Sequence, residues 1–143
     1  MEYEEDNLSK LNEKYYTKII DKDFIGNDIC LLKFSNKIIV ITLAPSHPLI
    51  ISDSKIKNID FQISKKVNRL KNKVSGKGKK GAQVIKLNSL LCTIETEENI
   101  YKIYPACEGK LIEINENLIT NPDLLLQKPD KEGYIAIILP KLE

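Results

Sequence analysis

One histidine, His47, and three cysteines, Cys30, Cys92 and Cys107, are the side chains in this sequence with the widest chemical repertoire. A Ser-His-Asp arrangement would have to be built on His47, because a triad needs an imidazole as its base. No Gly-x-Ser-x-Gly elbow accompanies it, and the flanking Pro45 and Pro48 put it at a strand end, where a structural role is expected. A centre with several histidines is excluded. The cysteines lie far apart in sequence and form no paired knuckle of the kind zinc uses, so no metal is expected. They sit among Ile and Leu and read as reduced, small core residues. Glu95, Glu97 and Glu98 could suggest acid–base work, but at the tip of a hairpin they would be solvated, with little to raise a carboxyl pKa.

The sequence Gly76-Lys77-Gly78-Lys79-Lys80-Gly81 satisfies the G-x-G-x-x-G spacing by which backbone amides approach a pyrophosphate at a helix N-terminus. The context argues against it: no apolar strand precedes it, and Ala82-Gln83-Val84-Ile85-Lys86-Leu87 after it is more β-like than helical. The run belongs to a larger basic segment, 65–81, in which Lys65, Lys66, Arg69, Lys71, Lys73, Lys77, Lys79 and Lys80 occur with no acidic residue between them. Such a cluster either binds an acidic partner or polyanion with salt-sensitive affinity, serves nuclear targeting, or remains a solvated loop. No aromatic residue is interleaved, which argues against base stacking in this stretch.

The elements that must carry these residues are short strands. The composition is globular, with 42% apolar residues, six Tyr, three Phe and no Trp, so the core is expected to be aliphatic. The length of 143 residues suits one domain over 14–143, preceded by a flexible acidic tail at 1–13 that contains Glu2, Glu4, Glu5 and Asp6. Ile29 to Phe34 and Lys37 to Leu43 predict a hairpin around a two-residue turn, Ser35-Asn36, and a further strand is expected over Ile59 to Ile63. A second hairpin is expected with its tip at Glu95 to Asn99, followed by an alternating strand from Gly109 to Ile114 with Leu111 facing opposite to Ile112 and Ile114. Asn115 to Leu126 reads as helical or turn-like with an interruption at Asn121-Pro122, and Gly133 to Leu139 as a closing strand stopped by Pro140. Many short strands with scarcely a helix predict a compact β barrel or sandwich. No apolar stretch approaches a bilayer span and the acidic start lacks a secretion-signal layout, so a soluble intracellular protein without membrane association is expected.

Three stretches carry a family resemblance: Asn36 to Pro48, Arg69 to Lys77 with Gly81-Ala82-Gln83, and Glu132 to Lys141. In this order the chain resembles the Simiate family, also called Abitram, from about Tyr15 to its end. The resemblance implies an actin-binding modulator of transcription without enzymatic activity, found in nuclear speckles and the cytoplasm. A more distant one covers Ile103 to Leu118, Asn121-Pro122 and Glu132-Gly133-Tyr134, which are similar to the glycine cleavage H protein. It implies a mostly β barrel-sandwich hybrid of the lipoyl/biotinyl carrier type with short helical segments. In H proteins a lysine at the hairpin tip carries the lipoyl arm, and ungapped counting from Gly109 puts Glu98 there. Lipoate is linked through a lysine amine, which a carboxylate cannot replace, and Lys102, the nearest lysine, falls on the strand. The expectation is an adaptor without a cofactor; the alternative is an H-like lipoyl carrier protein.

Overall fold

The computed structural model describes residues 16–76 and 79–141. The expected tail at 1–13, and Lys77 of the basic segment, lie outside the described residues. Three antiparallel strands open the fold: β1 (Tyr16–Lys22), β2 (Asp28–Phe34) and β3 (Ile39–Leu43). Strands β2 and β3 read as unbroken apolar runs because both of their faces are covered. Ile29, Leu31, Ile39 and Ile41 enter the main core, whereas Cys30, Leu32, Phe34, Val40 and Ala44 form a second cluster with Tyr134. Four residues separate the ends of β2 and β3, and the pairing of Phe34 with Ile38 leaves a three-residue loop, 35–37, not the two-residue turn expected. The Phe34 amide donates to Ile38 O and the Lys37 amide to Phe34 O, with Lys37 left-handed at φ 81°. The extra residue lets a common turn reconcile itself with strand twist by a bulge.

After β3 comes a five-residue helix, α1 (Pro48–Ser52). Pro48 takes the first helical position, where a missing amide costs nothing. The remaining elements are β4 (Ile56–Asp60), a 3₁₀ turn at Arg69–Lys71, β5 (Val84–Ile85), β6 (Cys92–Thr96), β7 (Ile100–Ile103), β8 (Gly109–Ile114), α2 (Asn117–Thr120), α3 (Leu124–Gln127) and β9 (Ala136–Pro140). Strand β4 thus begins and ends earlier than the alternation from Ile59 suggested, with Phe61 buried just beyond it.

The strands form a six-stranded sheet, β1-β2-β3-β9-β8-β5, and a three-stranded sheet, β4-β6-β7. Ile29, Leu31, Ile41 and Ile138 from the first and Ile56, Ile59, Ile94 and Ile103 from the second meet in one aliphatic core, the sandwich that the resemblance to H proteins implied. Strand β8 departs from simple alternation. A register shift between Leu111 and Glu113 lets Leu111 and Ile114 both turn inward, correcting the expectation that they face apart. Strand β9 starts later than expected and includes Pro140, opposite Gly109 at the strand's end, where its missing donor is tolerated. The interruption at Asn121-Pro122 separates α2 from α3 as expected. Asn115, buried, ties this region to the segment that leads into β9: its Nδ2 donates to Glu132 O and Tyr134 O, and its Oδ1 accepts from the Asn117 amide.

Candidate functional site

The basic segment hangs between β4 and β5, and its course is set by hydrogen bonds of its backbone, its amide side chains and Arg69 rather than by its lysines. A first turn is closed by the Ile63 amide donating to Val67 O, while Ser64 Oγ accepts from the Lys66 and Val67 amides. Lys65 and Lys66 occupy this turn, both exposed. Arg69 then turns inward and is only 7% exposed. Its Nε and Nη2 donate to Leu90 O at 3.0 and 2.7 Å, and its Nη1 donates to Gln83 Oε1 at 2.8 Å. Gln83 Nε2 in turn donates to Asn68 O, and the Gln83 amide donates to Asn72 Oδ1. Asn72 Nδ2 donates to Leu111 O on β8, whose amide donates back to Gln83 O. Arg69, Asn72 and Gln83 therefore pin both ends of the segment to Leu90, ahead of β6, and to β8.

Beyond the pin, Ser75 and Lys80 exchange two backbone hydrogen bonds. Gly76 and Gly81 are left-handed there at φ 72° and 82°, as is Lys79 at 56°. No helix follows over residues 82–91, so the G-x-G-x-x-G spacing lacks the helix N-terminus that would receive a pyrophosphate. Lys71, Lys73 and Lys80 are exposed and Lys79 is partly so. Among the described residues none of these amines has a carboxylate partner; the ion pairs lie elsewhere, at Lys18–Asp130, Lys22–Asp28, Lys57–Glu97 and Lys128–Glu132. Arg69, grouped with the lysines as a candidate partner contact, does not join them. Burial lowers its pKa, and its donors are spent inside the fold.

The β6–β7 hairpin places Glu97 and Glu98 at its apex, where Thr96 Oγ1 accepts from the Glu98 and Asn99 amides. Lys102 pairs with Thr93 along the strand, away from the apex. An acyl-carrier amine is thus missing from the place where the hairpin would present it. The cysteines pack as expected: Cys30 and Cys92 are buried and Cys107 partly so. Burial pushes the Cys30 and Cys107 thiols up to about 11 and the Cys92 thiol higher still, which leaves little nucleophilic thiolate at neutral pH. Among the described residues no group of His, Cys, Asp and Glu could hold a metal ion.

His47 is fully buried and caps α1, with Nδ1 accepting from the Leu49 amide at 3.1 Å and the ring tilted against Tyr101. Burial lowers its pKa below the usual 6.5, against weaker opposing pulls from Asp23 and Asp28. Because the folded protein holds this imidazole neutral, the unfolded chain binds more protons just below pH 6.5, and stability must fall as pH drops through that window. The thermal midpoint is expected to decline from about pH 6.5 to 5.5 in the parent, and His47→Asn, which keeps a capping acceptor but does not titrate, should flatten that decline. Equal slopes in the two proteins would remove His47 as the titrating group.

Neither Asn72 nor Gln83 announces a pinning role in sequence, since an amide side chain has no signature until its carbonyl partners are located. With this geometry in hand, residues 55–142 match the family model described as glycine cleavage H-protein. The chain is 46% identical over 144 residues to Protein Abitram of Danio rerio, covering 98% of this chain and 81% of that one. It is 46% identical to Protein Abitram of Xenopus tropicalis, covering 92% and 74%, and 44% identical to that of Homo sapiens, covering 95% and 77%. Among solved structures it is similar to a glycine cleavage system H protein from Mycobacterium marinum, with a TM-score of 0.54, 9% identity, and coverage of 73% of this chain and 67% of the other.

Proposed function

This chain belongs to the Abitram family, on a glycine cleavage H-protein-like fold, and we propose that it is a non-catalytic adaptor whose pinned basic loop captures an acidic partner. The observation that carries this reading is the contrast between the loop's ordered frame and its unpaired cations. Lys65, Lys66, Lys71, Lys73 and Lys80 project from a scaffold fixed by Arg69, Asn72 and Gln83, with no carboxylate partner among the described residues. Like charges held together repel one another, and an acidic surface relieves that repulsion while releasing counterions. A fixed frame also removes part of the ordering cost that a floppy lysine loop would meet on binding. Actin is the first candidate partner, in keeping with the family resemblance, and a nuclear polyanion such as RNA the second. A role in transcription regulation with residence in nuclear speckles and cytoplasm follows the same proposal. The H-like fold alone would suit a lipoyl carrier, but Glu97 and Glu98 at the apex favour the adaptor.

The test is co-pelleting with filamentous actin and anisotropy of a labelled oligouridylate, each across a salt series. Replacing Lys77, Lys79 and Lys80 together by Glu is expected to weaken binding about tenfold or more at low salt and to make the salt dependence shallower. Unchanged binding after this reversal would discard the loop's role.

A further inference from the structure

Two serines stand within the basic segment's turns, and the structure treats them differently. Ser64 Oγ is engaged as the acceptor for the Lys66 and Val67 amides. Ser75 is exposed, and its hydroxyl has no partner among the described residues; only its backbone is used, in the two bonds to Lys80. Lys71 and Lys73 precede Ser75 and Lys77 and Lys79 follow it, with no acidic residue from 65 to 81. An enzyme that selects serine by surrounding positive charge meets at Ser75 an accessible hydroxyl beside left-handed Gly76, in a residue whose backbone is held by two hydrogen bonds to Lys80.

We propose that Ser75 is a phospho-acceptor for a base-directed serine kinase and that its phosphate switches off the cationic loop. The proposal rests on the adaptor reading for its second half only. Ser75 Oγ attacks the γ-phosphorus of ATP held with magnesium by the kinase. The Oγ–P bond forms as the bond to the β,γ-bridging oxygen breaks, ADP leaves with that electron pair, and the hydroxyl proton passes to the kinase's catalytic carboxylate. The product carries about −1.5 to −2 charges at pH 7. It lies directly across the bridge from Lys80, so the phosphate recruits neighbouring ammonium groups into charge-assisted hydrogen bonds and withdraws them from an external partner.

The full chain is incubated with the catalytic subunit of a base-directed serine/threonine kinase and MgATP, and the site is mapped by intact and tandem mass measurement. One HPO₃ on Ser75, lost in Ser75→Ala, is expected. Absence of phosphate, or undiminished incorporation in Ser75→Ala with the group on Ser64, overturns the acceptor. The phosphorylated chain is then compared with the unmodified one on filamentous actin and oligouridylate, with about tenfold weaker binding and a smaller salt slope expected. Phosphate on Ser75 with unchanged affinity overturns the switch. Failure of the unmodified chain to bind either probe overturns the adaptor reading and the switch together, while the mass measurement still decides the acceptor.

Discussion

Gly133→Ala is expected to lower unfolding free energy by about 3 kcal/mol or more, a large part of the roughly 5–15 kcal/mol a domain has. A methyl group there would lie 1.9 Å from Leu124 O and 2.8 Å from Lys128 O, both backbone atoms that cannot swing aside. Gly133 also donates its amide to Lys128 O, so the loop after α3 closes onto the glycine itself. Relief requires α3 to move, and α3 holds Leu125 in the core with Leu124 and Leu126 packed at its margin. Gly26 is the informative contrast. Nothing lies within 4 Å of a Cβ there, but φ is 89°, so Gly26→Ala meets only backbone strain of about 1–2 kcal/mol. Urea midpoints at constant slope should rank Gly133→Ala well below Gly26→Ala. A Gly133→Ala midpoint within experimental scatter of the parent would show that α3 adjusts freely.

The difference between these glycines is invisible in sequence, and it illustrates which parts of the molecule were legible there. Strands β2 and β3 were, because a long β-branched and aliphatic run needs no tertiary information to be read as buried. The second hairpin was as well: its carboxylate tip sits between two apolar runs and Pro105 ends it, so Glu98 could be placed at the apex before any coordinates. Helix α1 was not, because it is only five residues long, its Leu-Ile-Ile looks like strand, and His47 is outside the usual set of capping residues. The shift in β8 was hidden because period-two alternation gives no sign of the extra residue that turns Leu111 and Ile114 to one side. In the basic segment, charge could be counted but not apportioned. Arg69 counts as one cation of eight until Leu90 O and Gln83 Oε1 are seen to absorb it.

Arg69→Met is therefore expected to cost about 2–3 kcal/mol, even though it removes a charge from a crowded cationic stretch. Methionine preserves much of the aliphatic stem and loses the fork, leaving Leu90 O and Gln83 Oε1 without the three donors that satisfied them. Arg69→Lys should recover only part of the loss, since one ammonium group cannot reproduce a planar fork that serves two acceptors at once. Gln83 links Arg69 to Asn72, so Arg69→Met and Asn72→Ala should be non-additive in a double-mutant cycle, the second change costing less once the first has loosened the pin. Hydrogen exchange should localise the damage: amides of Arg69 and Gln83 lose protection earlier than those of β2 and β3. The consequence for function has a definite sign. Lysines released from a fixed frame keep their charge but regain the ordering cost of binding, so the variant should bind an acidic partner more weakly while its salt slope stays the same. A salt slope that falls along with affinity would instead place Arg69 among the contacting cations, against its burial beneath the loop.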